Sequence, residues 1–91
     1  MKKVIFISPE GKEYECTGWA MHFKSGWEWY ALGEQRPEDL AEGIHFGLVH
    51  GFETEFGYFS ENELAENGIK LLTSYKDLNG IMPPMGWTRK A

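Results

Sequence analysis

Cysteine is nearly absent from this chain of 91 residues: Cys16 is the only one. A single cysteine can form no intrachain disulfide, and a zinc site built on several cysteines is excluded. A lone thiol suits a reducing compartment, so we expect a cytoplasmic protein.

Long hydrophobic runs are also missing. The apolar stretch Val4–Ile7 ends after four residues at Ser8 and Pro9. That is too short for the apolar region of a signal peptide and far too short for a transmembrane helix. We therefore expect neither an export signal nor a membrane span.

Positive charge is scarce: nine Lys and Arg stand against fourteen Asp and Glu, for a net charge of −5. Clustered Lys and Arg are what attract nucleic acid phosphates, so direct nucleic acid binding is disfavoured. With 42% hydrophobic and 15% aromatic residues, the composition is that of a folded chain. One small domain near the lower size limit for a stable core is expected, which leaves a homo-oligomer open.

The residue patterns predict an α+β fold, with a small, curved, mainly antiparallel sheet of five to six strands and one short helix. The predicted strands are residues 3–7, 12–17, 27–32, 44–50 and 55–59, with 69–72 as a short sixth strand. Gly47 and Gly57 inside two of them indicate bulges, sharp bending or close approach of another backbone. The sheet is therefore expected to curve.

One helix has a clear start signal, since Ser60 and Glu63 form a capping box. This helix should span residues 61–66 and end at Asn67-Gly68, and a single helical turn could begin at Pro37. Consecutive prolines at 83 and 84 cannot join a central ladder. We therefore predict a globular domain over residues 1–78 and a C-terminal tail over 79–91, extended over the surface or mobile.

No catalytic motif is present, and we predict no catalytic residues, no metal, no cofactor and no enzyme activity. His45 and His50 are five residues apart, which places them on opposite faces of a regular strand. Two ligands of one metal would have to converge, and this spacing opposes convergence. Cys16 is expected to be a half-buried strand residue rather than a nucleophile.

The aromatic residues are the best candidates for a binding surface. Trp27 and Trp29 alternate on the third strand and should share one face. If that face is the core, the indoles are packing residues; if it is a concave surface, they are a stacking floor for a planar ligand or a protein partner. For ligand capture the predicted binding residues are Trp27, Trp29, Tyr58, His50, Lys24 and Arg36, with the last two meeting phosphate.

Three segments resemble a known family: residues 27–30 (WEWY), 46–51 (FGLVHG) and 55–64 (EFGYFSENEL). Their order and spacing are similar to the domain-of-unknown-function family 2958, over about residues 26–72. The resemblance implies a small bacterial protein carried by phages, plasmids or other mobile elements, with no assigned reaction. Such a setting implies action in the host bacterial cytosol.

From these features we hypothesise a non-enzymatic binding protein that counters host defence. It would sequester a nucleotide-like signalling molecule or cap a host defence protein. The alternative is an acidic DNA mimic that blocks a host nuclease or repressor through Glu38, Asp39 and Glu42 together with Glu53 and Glu55.

Overall fold

The structure is a computed structural model that describes residues 2–91. Its elements are β1 (Val4–Ile7), β2 (Glu13–Met21), β3 (Glu28–Leu32), α1 (Pro37–Ala41), β4 (Ile44–His50), β5 (Thr54–Ser60), α2 (Glu61–Glu66), α3 (Tyr75–Leu78) and β6 (Thr88–Arg89). The strands form one six-stranded sheet in the order β5-β4-β3-β2-β1-β6, and each neighbouring pair is antiparallel. The predicted α+β class with a mainly antiparallel sheet is confirmed.

Two cores lie on opposite faces of the sheet, because successive residues of a strand point to opposite sides. The α3 face, as we name it, has the buried residues Val4, Phe6, Cys16, Tyr30, Leu32, Leu48 and Leu78. The opposite α2 face has Ala20, Ala31, Phe59, Leu64, Ile69 and Leu71. The centre of the sheet is thus packed on both sides, and open side chains lie at its ends and edges.

The sheet curls toward the α3 face. The rings of Tyr14 on β2 and Phe56 on β5 stack with centroids 5.5 Å apart, although β3 and β4 lie between those strands. In a flat sheet the two strands would be roughly 14 Å apart. The predicted curvature is therefore present.

Gly47 allows a close approach of two backbones. A Cβ atom at Gly47 of β4 would collide with the carbonyl oxygen of Tyr30 in β3, whereas Gly57, its partner on β5, has open space at the same position. The irregularity in strand register lies elsewhere, between Cys16 and Gly18 of β2. Of the alternatives predicted for Gly47, close approach is the one observed.

The helices are short, and three of them lie in residues 2–91: the predicted α2, α1, which begins at Pro37 where a helical turn was expected, and α3. The bounds of α2 match the prediction; the Ser60 hydroxyl accepts from the amide of Glu63 at 3.3 Å, and Gly68 follows with φ +74°. The sequence did not predict α3, since its four residues are too few for a periodic signal. None of the described helices has the length and apolar character needed to cross a lipid bilayer.

The edge of β2 differs from the prediction in two ways. The strand continues to Met21, four residues beyond its predicted end at residue 17. The predicted strand at residues 69–72 is wrong: it is reduced to one bridge, in which Trp19 and Leu72 exchange main-chain hydrogen bonds of 2.9 and 2.8 Å. Because β1 occupies the edge of β2 as far as Cys16, only the stretch beyond that residue is open to Leu72.

The C-terminal segment packs against the sheet. Pro84 is buried, and Ile81 and Trp87 pack on the α3-face core. Further on, β6 pairs with β1, and the amide of Lys90 donates to the carbonyl of Ile5 at 2.9 Å. The sixth strand of the sheet therefore lies in residues 79–91, the segment predicted to be a tail outside the domain.

Candidate functional site

Trp27 and Trp29 lie side by side, with ring centroids 6.2 Å apart, at the end of the α2 face. Trp29 packs against the α2-face core. Trp27 lines a surface cleft of about 340 Å³ together with Val49, Phe52, Glu53 and Glu55. Each of the two predicted alternatives therefore holds for one indole: Trp29 packs on the core, and Trp27 borders open space.

Tyr58 and Arg36 meet each other on the α3 face, away from the tryptophan pair. They line a cavity of about 370 Å³ with Glu34, Asp39 and Phe46, and the rings of Phe46 and Tyr58 are 5.1 Å apart. The guanidinium of Arg36 donates to both carboxylate oxygens of Asp39, at 2.8 and 3.2 Å. This hydrogen bonding raises the pKa of Arg36 above its ordinary value. The charge of Arg36 is already matched by a carboxylate, which weakens its use for phosphate.

The histidines of β4 point away from each other, as their spacing predicts. His50 makes a 2.6 Å hydrogen bond to the hydroxyl of Thr54. His45 is buried on the α2 face, where its ring stacks on Phe59 and its Nε2 lies 3.6 Å from a Glu61 carboxylate oxygen. That distance is too long for a hydrogen bond. Within residues 2–91 there is no group of three or more side chains arranged to hold a metal ion.

Cys16 is more deeply buried than expected, at 3% exposure. Its thiol donates to the carbonyl of Gly18 at 3.5 Å, and burial raises the pKa of the thiol to about 11. A reactive cysteine needs the thiolate, and at neutral pH this residue carries its proton. Cys16 is a packing residue of the α3-face core.

Lys24 lies in a different place again, at a cavity of about 510 Å³ that we call the Lys24 cavity. It forms beyond the end of β1, between the β2–β3 hairpin and the segment after α2. Its lining residues are Trp19, Met21, His22, Phe23, Lys24, Asn67, Gly68, Ile69, Lys70 and Leu72. Two lysines and a histidine supply its ionisable groups, and no carboxylate lines it.

Two hydrogen bonds position the walls of the Lys24 cavity. The indole Nε1 of Trp19 donates to a Glu28 carboxylate oxygen at 3.1 Å. The ring Nδ1 of His22 lies 2.7 Å from the hydroxyl of Ser25, within the hairpin turn. Both rings are therefore held in position by hydrogen bonds within the protein, without a ligand.

Lys24 can be identified as a binding candidate from the sequence, but Lys70 cannot. The predicted strand over residues 69–72 contains Lys70, and nothing in the sequence pairs that strand with the β2–β3 hairpin. The Trp19–Leu72 bridge is what carries residues 67–72 alongside β2. A long-range pairing of this kind has no local signal in the sequence.

The six predicted binding residues therefore lie in three regions. Trp27 and Trp29 are at one end of the α2 face, with His50 in the adjoining β4–β5 turn; Tyr58 and Arg36 share a cavity on the α3 face; and Lys24 lines its own cavity. No single site unites them.

The acidic residues of the DNA-mimic alternative are divided as well. Glu38, Asp39 and Glu42 lie in or next to α1, before β4, whereas Glu53 and Glu55 follow it. The seven residues of β4 place these groups roughly 20 Å apart. Arg36 neutralises part of the first group through Glu38 and Asp39. The two groups therefore lie beyond opposite ends of β4.

Comparison of the chain with protein-family models, with characterised proteins and with solved structures found no significant match.

Proposed function

We propose that this chain is a non-enzymatic binding protein that captures a small anionic molecule carrying a planar or apolar group. The observation behind this proposal is the charge of the Lys24 cavity: its ionisable side chains are Lys24, Lys70 and His22, in a protein of net charge −5. Ammonium groups bind phosphate and carboxylate through charge-assisted hydrogen bonds. A local basic site in an acidic protein therefore favours an anionic ligand.

The rest of the cavity suits the non-ionic part of such a ligand. Trp19, Met21 and Phe23 border it, and its volume of about 510 Å³ is within the ordinary range for small-molecule sites. Phe23 is 90% exposed, so its ring is available to cover a ligand. A nucleobase stacked on an aromatic ring, with its phosphate on the lysines, would satisfy both halves of the cavity.

The resemblance to a mobile-element family indicates what such capture would achieve. A nucleotide-like signal of host defence, held without being cleaved, would no longer reach its receptor. Cys16, which is buried and protonated, and the two β4 histidines lie outside the lining of the Lys24 cavity. A single binding experiment can test whether the chain captures such a ligand.

Isothermal titration calorimetry of the intact chain with cyclic dinucleotides, ADP-ribose and AMP tests the proposal. We expect one of these ligands to bind with one-to-one stoichiometry and to be recovered unchanged by chromatography. The double variant Lys24→Gln/Lys70→Gln should weaken that binding by roughly ten- to a hundredfold, through loss of two charge-assisted contacts.

The matched control is Lys12→Gln/Lys76→Gln, which removes the same charge at two exposed lysines outside the cavity. It should bind as the natural chain does. Absence of binding by every probe, or equal weakening in both double variants, would overturn capture in the Lys24 cavity. Recovery of a cleaved ligand would overturn the non-enzymatic part.

A further inference from the structure

A second cleft, chemically opposite to the Lys24 cavity, lies at the β4–β5 turn. The rings of Trp27 and Phe52 meet edge to face, with centroids 5.3 Å apart and planes at 83°. Two rings at nearly a right angle form a corner, which we call the aromatic corner. Phe52 is 95% exposed, so its outward ring contributes nothing to the core.

The corner is built into the backbone rather than formed by loose side chains. The indole of Trp27 lies directly over Gly51, where a Cβ atom would be 2.5 Å from the ring. The turn is closed by the amide of Gly51 donating to the carbonyl of Glu53 at 3.0 Å, next to the hydrogen bond between His50 and Thr54. The indole and the turn therefore hold one another in place.

Negative charge surrounds the aromatic corner. Glu53 and Glu55 line the same cleft of about 340 Å³, with Val49 as an apolar wall and no basic side chain in the lining. Neither carboxylate makes an ion pair with any of residues 2–91. An anionic ligand would be repelled here, and a purely apolar one would gain nothing from the two carboxylates.

We propose that the aromatic corner binds an organic cation, an alkylammonium or guanidinium group. The faces of indole and phenyl rings attract such cations electrostatically, and a flanking carboxylate adds an opposite charge. The cation can come from a free amine or from an Arg or Lys side chain of a polypeptide. Both sources present the same group to Trp27, Glu53 and Glu55.

The test follows the indole N–H signals of the labelled intact chain by NMR during titration. The free-cation probes are tetramethylammonium and spermidine, and the polypeptide probe is acetyl-Gly-Arg-Gly-amide, with acetyl-Gly-Gln-Gly-amide as its neutral counterpart. We expect a saturable shift of the Trp27 signal with the cationic probes and none with the neutral peptide. Binding of the free cations assigns the site to small amines, and binding of the arginine peptide alone assigns it to a polypeptide.

Two variants separate the cation site from general surface charge. Glu53→Gln/Glu55→Gln should weaken cation binding by roughly tenfold, because the carboxylates no longer reinforce the rings. Glu63→Gln/Glu66→Gln removes the same charge from exposed positions of α2 and should change nothing. Equal weakening in the two variants, or an equal response to the neutral peptide, would overturn the proposal.

The two sites can fail independently. Glu53→Gln/Glu55→Gln should leave nucleotide titrations unchanged, and Lys24→Gln/Lys70→Gln should leave cation titrations unchanged. If the natural chain binds a cation but none of the nucleotides, only the proposed function is overturned. If it binds a nucleotide but none of the cations, only the aromatic corner is overturned.

Discussion

The phenolic hydroxyl of Tyr30 lies 3.2 Å from the main-chain carbonyl oxygen of Met82, fifty-two residues further along the chain. The same hydroxyl is 3.1 Å from a Glu28 carboxylate oxygen, to which Trp19 also donates. Burial, together with the charge of Glu28, raises the pKa of Tyr30. A single proton thus serves two acceptors and joins β3 to the C-terminal segment.

Tyr30→Phe tests this connection. Removing the hydroxyl deprives Glu28 and the Met82 carbonyl of a donor, and we expect the free energy of unfolding to fall by about 1–2 kcal/mol. Urea denaturation measures the loss, and faster amide exchange in residues 80–90 would locate it. The control Tyr75→Phe removes an exposed hydroxyl that donates to Asn79 and should cost less than about 0.5 kcal/mol. Equal losses would mean that the Tyr30 hydroxyl contributes no more than a surface contact.

Gly47 and Gly57 form a matched pair, because they lie opposite each other on β4 and β5. Gly47→Ala places a methyl group against the carbonyl oxygen of Tyr30, so the backbones must separate, and we expect a loss of about 2–3 kcal/mol. Gly57→Ala meets nothing within 4 Å and should be neutral or slightly stabilising. Thermal and urea denaturation of both variants measure the difference. Similar stabilities would show that the close approach at Gly47 does not constrain the sheet.

Cys16 makes stability depend on alkaline pH. Burial raises the pKa of its thiol from 9.0 to about 11, so the folded chain retains a proton that the unfolded chain releases. Below pH 9 the protonated thiol contributes about 2–3 kcal/mol to the free energy of unfolding, and this contribution is lost as the pH rises to about 11. Urea denaturation of the natural chain and of Cys16→Ala at a series of pH values isolates this part. The variant should lose less stability than the natural chain between those limits; parallel curves would contradict the buried thiol.

Removal of residues 79–91 tests the predicted boundary of the domain. The truncation exposes the core surface covered by Ile81 and Trp87 and deletes β6, and we expect a loss of about 3–5 kcal/mol. Calorimetric melting measures it. Met85→Ser alters an 86% exposed side chain in the same segment and should have little effect. A shortened chain as stable as the natural one would confirm residues 1–78 as an independent domain.

Much of the local structure could be predicted because its signals are short-range. The alternation Ile44–His50 placed β4 with the correct bounds, and Ser60 with Glu63 placed the start of α2. The β6 strand could not be predicted in the same way, since two residues carry no periodicity and their partner, β1, lies at the other end of the chain.

The candidate sites show the same division. Lys24 and Trp27 could be identified as binding candidates from residue type alone. Their surroundings could not: Lys70 lines the same cavity as Lys24 because of the Trp19–Leu72 bridge, and Phe52 meets Trp27 because β3 pairs with β4.

The sequence by itself determined the class of fold, the β4–β5 hairpin with its capped helix, and the lack of a catalytic or metal motif. These follow from hydrophobic periodicity, turn residues and residue spacing, all of which act over a few neighbours. Only the tertiary structure decided which aromatic and charged side chains share a cleft. Strand pairing and sheet curvature bring together residues that are distant in the chain, and they do so through main-chain hydrogen bonds that every residue type except proline can form.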